Sequence, residues 1–155
     1  DSPCIARLLL SPMGAAAIEL RPLQPAPPEP VRVALATMAL AADDLRLAHK
    51  LTDRAHYDAP RRSSGAFEVL FRDAAGRLTE GSFTSLFVER DGRLLTPPLA
   101  LGLLPGVLRA DLIAQGRAVE AELRPDDLAD GFLIGNSARG LLRARLVAPP
   151  DAQPL

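Results

Sequence analysis

The chain has 155 residues, 48% apolar and 24% charged, with 18 basic against 19 acidic side chains and a formal net charge of -1. That is long enough for one domain with a proper core, or a small piece joined to one domain, and the even balance gives no broad field for a nucleic acid or a membrane surface. No apolar run can span a bilayer, the start DSPCIARLLL lacks the basic opening of a signal peptide, and one cysteine, Cys4, with two histidines excludes an internal disulfide and a metal site. A cytoplasmic location is therefore the default expectation.

Residues 5–21, IARLLLSPMGAAAIELR, read as a hairpin of two short apolar runs around Ser11-Pro12-Met13-Gly14. Two strands alone are not a stable unit, so residues 1–21 are expected to be the last hairpin of a small domain truncated upstream. PLQPAPPEP, 22–30, holds five prolines in nine residues and predicts an extended interdomain linker. VRVALAT, from Val31, is a strand; LAADDLRLAH is ambiguous between a turn of helix and irregular chain. TDRAHYDA has helical character, with Thr52 as cap and a stop before Pro60. Strands follow at Phe67–Arg72, Ser85–Glu89 and Arg93–Thr96, with turns at Ala75-Gly76 and Asp91-Gly92. PGVLRADLIAQG is a helix, its Leu104, Leu108 and Leu112 four apart, Pro105 at the start and Gly116 at the end. AVEAELR alternates as a strand, RPDDLAD is a short capped turn, GFLIGNS is a buried strand running into a loop, and LLRARLV closes the domain. Strands outnumber helices and many are hairpin-linked, which predicts a mainly antiparallel α+β domain over 31–155.

Four places could carry chemistry. Seventeen of the 18 basic residues are arginine; the exception is Lys50. An amine that can lose its proton is something arginine cannot supply, and a lysine can form a Schiff base with a carbonyl, then act as a general base. Glu80 ends a strand in TEGSFTSLFV, although the turn chemistry of this region already sits at Asp91-Gly92. At Leu104-Pro105-Gly106-Val107-Leu108 a helix begins on a glycine, where backbone amides and the helix dipole favour an anion. The loop GNSARG, 135–140, offers an amide, a hydroxyl and a guanidinium after a buried strand. A lysine for an aldehyde, a carboxylate for a pyridine nitrogen and a cradle for a phosphate are what pyridoxal phosphate requires.

In this order, AHKLTDRAHYDA, GAFEVLFRDAAGRLTEGSFTSLFVERDGRLLTPPLALGLLPGVLRADLIAQG and DLADGFLIGNSARGL resemble the class IV (fold-type IV) pyridoxal-phosphate enzymes over roughly residues 31–147. The resemblance implies the large domain of that fold, a mainly antiparallel sheet or pseudo-barrel with helices. It implies that Lys50 binds pyridoxal 5'-phosphate and moves protons, that Glu80 pairs with the pyridine nitrogen, and that Val107 and Leu108, past Gly106, hold the phosphate with Asn136 and Ser137. Arg139 would meet a substrate carboxylate.

HKLTDRAHYDA and NSARGL are most similar to the lyase branch, which converts 4-amino-4-deoxychorismate to p-aminobenzoate and pyruvate for folate synthesis. An aminotransferase of branched-chain or D-amino acids shares every cofactor residue, and a third reading is a non-catalytic piece of such an enzyme. The resemblance further implies a homodimer acting on a small molecule, fused to or paired with an aminodeoxychorismate synthase component, with no nucleic acid and no membrane. Departures from the family pattern are Ser85, where many members have asparagine, and Ala55, where aminotransferases have tyrosine. Arg54 and Tyr57 become candidates for cofactor or structural contacts, Tyr57 for the structural kind. His49 and His56 are taken as packing or surface residues.

Overall fold

The computed structural model describes residues 2–147; the last eight residues of the expected 31–155 domain lie outside them. Strands β1 (Cys4–Leu10) and β2 (Ala16–Pro22) form the expected hairpin and a sheet of their own. An extended linker leads to eight more strands in one curled sheet: β3 (Val31–Thr37), β4 (Glu68–Arg72), β5 (Leu78–Gly81), β6 (Ser85–Arg90), β7 (Arg93–Thr96), β8 (Ala118–Glu120), β9 (Phe132–Asn136) and β10 (Gly140–Leu146), in the spatial order β5-β4-β3-β10-β9-β6-β7-β8. Helices α1 (Leu45–Ala48) and α2 (Ala55–Ser64) lie between β3 and β4, and α3 (Val107–Ala114) between β7 and β8. This is the α+β class expected, though the sheet is mixed. The ladders β4–β5, β9–β10, β6–β9 and β6–β7 are antiparallel, while β3–β4, β3–β10 and β7–β8 are parallel.

Strand alternation sorts the side chains onto two faces. Val31, Val33, Leu70, Leu86, Val88, Ile134 and Leu142 fill the main core. Their neighbours in sequence point the other way: Ala34, Val69 and Phe71 pack with Leu47 of α1 and Tyr57 of α2, and Phe87 packs with Leu112 of α3. The helices therefore cover two separate parts of the sheet's second face. A seam runs between them, and Glu80 lies at it.

Three local expectations are corrected. The N-cap of α2 is Arg54, not Thr52, and α2 runs through Pro60 to Ser64; Pro60 lacks only the one N–H that would bond back a turn, and Tyr57 anchors the helix from its buried side. Gly106 caps α3, so Pro105 lies one residue before the cap and not at the first helical position. AVEAELR keeps only three residues in strand, because β8 pairs only with β7 before the chain turns away. The ambiguous LAADDLRLAH contains the short α1, capped by Asp44, whose carboxylate accepts from Arg46 N at 2.9 Å.

Candidate functional site

Glu80 lies near the end of β5 and is buried. Its Oε1 accepts the Tyr57 hydroxyl at 2.5 Å and the Leu104 amide at 3.1 Å. Its Oε2 has no donor among the described residues. Burial pushes the Glu80 carboxyl up to about 7, against the pull of Tyr57, Leu104 and the Arg54 charge and with a further push from Glu68. A cation meeting Oε2 would restore its charge.

The strand end that carries Glu80 is built by a second carboxylate. Glu68, wholly buried at the start of β4, accepts from Val69 N, Ser82 N, Ser82 Oγ, Phe83 N and Thr84 Oγ1. Four of these donors come from residues 82–84 and fold them into a fixed turn between β5 and β6. A side chain at Gly81 would run into Thr84 Oγ1 and Glu68 Oε2, so the residue after Glu80 must be glycine for this turn to close. Sequence reading missed Glu68. The available signal was a charged residue inside the apolar run FEVLF, with the hydroxyl-rich GSFTS following.

Across the seam, α3 starts on Gly106 with no side-chain cap. Its first amides, including those of Val107 and Leu108, have no partner within the helix and carry the positive end of its dipole. Two glycines let this terminus settle against the sheet: a Cβ on Gly106 would stand 2.9 Å from Ser85 Oγ, and one on Gly135 would stand 2.9 Å from Leu108 Cδ2. Ser85 thus faces the helix start. Asn136 donates to Phe83 O at 3.1 Å and accepts from Ala138 N and Arg139 N, so its amide shapes the loop and joins it to the turn after Glu80. Ser137 is exposed in that loop. Arg139 is directed to the linker, where its Nη1 donates to Gln24 O at 3.3 Å.

Lys50 is exposed in the segment between α1 and α2. Arg46 brackets that segment, bound to Asp44 at 2.7 Å and to Asp53 at 3.6 Å. Among the described residues no contact joins Lys50 to Glu80. The link runs through its chain neighbours instead: Arg54 donates to Ser82 O and Tyr57 to Glu80. Lys50 lies four positions before Arg54, which limits its backbone to roughly 14 Å from that of Arg54. The structure thus joins Glu80, Gly106–Leu108 and Asn136 into one seam, while Lys50 and Arg139 stand at its margins. His56, whose ring nitrogens are both buried without a partner, tilts against Tyr57, and burial holds its pKa below the ordinary value. Among the described residues no cluster of three or more His, Cys, Asp or Glu could hold a metal, and no helix is long and apolar enough to cross a membrane.

The profile of the family described as amino-transferase class IV matches residues 7–147. A Schizosaccharomyces pombe protein provisionally named aminodeoxychorismate lyase is 33% identical over 113 residues, which are 66% of this chain and 49% of that one. The crystal structure of a Mesorhizobium loti protein provisionally called an amino-acid aminotransferase superposes with a TM-score of 0.84 at 40% identity, covering 93% of this chain and 73% of the other. A hypothetical aminotransferase from Mycobacterium tuberculosis, solved in its PLP-bound form, matches with a TM-score of 0.69 at 25% identity over 84% of this chain and 54% of that one. The chain thus spans about half the length of the fission-yeast relative and less of the branched-chain aminotransferases it also matches.

Proposed function

Because the chain belongs to the amino-transferase class IV family of pyridoxal-phosphate-dependent enzymes, we propose that it carries the cofactor-binding unit of an aminodeoxychorismate lyase, which takes 4-amino-4-deoxychorismate to p-aminobenzoate and pyruvate. The observation that carries the cofactor reading is the pairing of Glu80, buried with Oε2 free of donors, with the uncapped start of α3 across the same seam. One end suits a protonated ring nitrogen and the other a phosphate. Bound there, pyridoxal phosphate would supply an aldehyde for the substrate amine and a ring that draws electrons from the amine-bearing carbon.

The chain's own residues divide the remaining work. Lys50 supplies the amine that would hold the cofactor's aldehyde and, when free, the base that would take the proton from the substrate's amine-bearing carbon. Glu80 Oε2 is the oxygen that would meet the ring nitrogen and keep it protonated. The Val107 and Leu108 amides would hold the phosphate, with Asn136 and Ser137 adding to that cradle. Arg139 meets a substrate carboxylate by exchanging the Gln24 carbonyl for it. Loss of the enolpyruvyl group as pyruvate leaves an aromatic ring, and that gain drives the reaction forward.

The lyase reading is supported by the identity to the fission-yeast protein and by the Lys50 segment, which has Ala55 in place of the tyrosine expected of an aminotransferase. The second reading, an aminotransferase of branched-chain or D-amino acids, is favoured by the Mesorhizobium loti structure. Product analysis separates them. An aromatic amine plus pyruvate from 4-amino-4-deoxychorismate supports the lyase; a keto acid with its amino group passed to a second substrate supports the transferase. Lys50 is tested by borohydride reduction with pyridoxal phosphate and peptide mapping. Reduced cofactor should be fixed on Lys50, and Lys50→Ala should abolish both the trapped product and turnover. A Lys50→Ala protein that keeps full turnover refutes the assignment.

A further inference from the structure

Tyr57 follows Lys50 by seven residues and is buried on the first turn of α2. Its hydroxyl and the Leu104 amide reach the same oxygen of Glu80, at 2.5 and 3.1 Å. One donor comes from α2 and the other from the loop before α3. Together they fix the rotation of the carboxylate and leave Oε2 as the oxygen without a donor among the described residues. The phenol ring is itself immobilised, edge-on to Phe71 at 5.4 Å between centroids, tilted against His56 at 4.2 Å, with the Arg54 guanidinium 5.0 Å from its centroid. Arg54 also grips Ser82 O, two residues past Glu80. The start of α2 is therefore clamped to the end of β5 at two points. Burial and the neighbouring carboxylate push the Tyr57 phenol far above its ordinary value, so it remains a donor at working pH.

We propose that Tyr57 is a positioning residue for the cofactor ring: by donating to Glu80 Oε1 it fixes Oε2 as the oxygen presented to the ring nitrogen and favours the charged carboxylate that the protonated ring needs. This rests on the reading of Glu80 as the ring's partner. A hydrogen bond donated to a carboxylate favours its charged form. Without the phenol, a carboxyl this buried would hold its own proton more tightly and be a weaker acceptor for a protonated nitrogen. The contact also couples α2, the helix that follows the Lys50 segment, to the strand end that carries Glu80.

The test begins without cofactor. In protein labelled with carboxyl-13C glutamate, the Glu80 signal is assigned by its loss in Glu80→Gln and followed through a pH titration. Tyr57→Phe keeps the ring and its packing and removes only the hydroxyl. The Glu80 midpoint should then rise by about one to two pH units, the scale of a hydrogen bond to a charged group. Affinity for pyridoxal phosphate should fall about tenfold, the lower end of the same scale, and Tyr57→Phe should cost no further affinity in a Glu80→Gln background. An unmoved midpoint overturns the proposal, because a purely structural tyrosine would leave the titration alone. An equal loss of affinity in both backgrounds overturns it as well. If the midpoint rises but Glu80→Gln alone leaves the affinity unchanged, the reading of Glu80 is what fails, and the role toward the ring falls with it.

Discussion

Glu68 and Glu80 are separated by one β-hairpin and both are buried, yet their surroundings assign them different tasks. Glu68 spends both oxygens on five donors, four from the turn at 82–84 and one from Val69 N beside it. Glu80 receives two donors on one oxygen and keeps the other. This leaves a mark on stability. The Glu80 carboxyl is raised from 4.5 to about 7 in the folded chain, so its contribution to folding is fully present below pH 4.5 and is lost as pH rises through 7. Without cofactor, the native protein should therefore lose roughly 3 kcal/mol relative to Glu80→Gln between acid and alkaline conditions. Urea unfolding of both proteins at pH 5 and pH 8 measures it, and equal losses in the two proteins would rule out Glu80 as the titrating group. Glu80 itself stood out in the sequence because the nearby turn did not need it. Glu68 did not, and Tyr57 stood out only as a candidate for structural contacts, since their meaning lies in partners 14 to 16 and 23 residues away.

At the scale of elements, α3 owes its position to Arg109 in its first turn. Arg109 is buried, donates to Pro97 O at 2.8 Å and pairs with Glu120 of β8. The pair is unequal: the Arg109 side chain is 4% exposed and that of Glu120 44%. Removing the carboxylate strands a guanidinium in the interior, whereas removing the guanidinium frees a carboxylate that water can reach. Glu120→Ala should therefore destabilise by about 3 kcal/mol, in the range for a buried charge left unpaired. Arg109→Met should cost less, about 1 kcal/mol, chiefly for the Pro97 carbonyl left without its donor. Chemical denaturation gives both values, and the reverse order would show that Glu120 is not what holds Arg109. The helix itself was legible from its leucine spacing and closing glycine, as were the hairpin, β3, β7, β9 and β10 from alternation and turn residues. The extent of α2 was not, because a proline with a buried tyrosine on the preceding turn obeys packing before propensity.

For the whole molecule, alternation along strands predicts which residues are buried but not which strands meet. The chain's first long strand after the linker, β3, lies between β4 and β10 with both ladders parallel, a consequence of two helical crossings and a long return that no local pattern encodes. That arrangement closes one core around Val33, Leu70, Leu86 and Ile134, and β1–β2 takes no part in it. Within the hairpin the directly paired residues Ala6 with Leu20, Leu8 with Ile18 and Leu10 with Ala16 share one face, and Leu8, Leu10, Ile18 and Leu20 are all exposed. A two-stranded ribbon with its apolar face in water has little to hold it beyond its own ladder, while β3, β9 and β6 can open only if the shared core opens. Amide hydrogen exchange should separate the two. The β1–β2 ladder should exchange through local opening, with protection worth about 1–2 kcal/mol, and the amides of β3, β9 and β6 should exchange only with global unfolding. Equal protection in both would mean that the hairpin is folded as part of the main core, through contacts stronger than the linker and Arg139 provide.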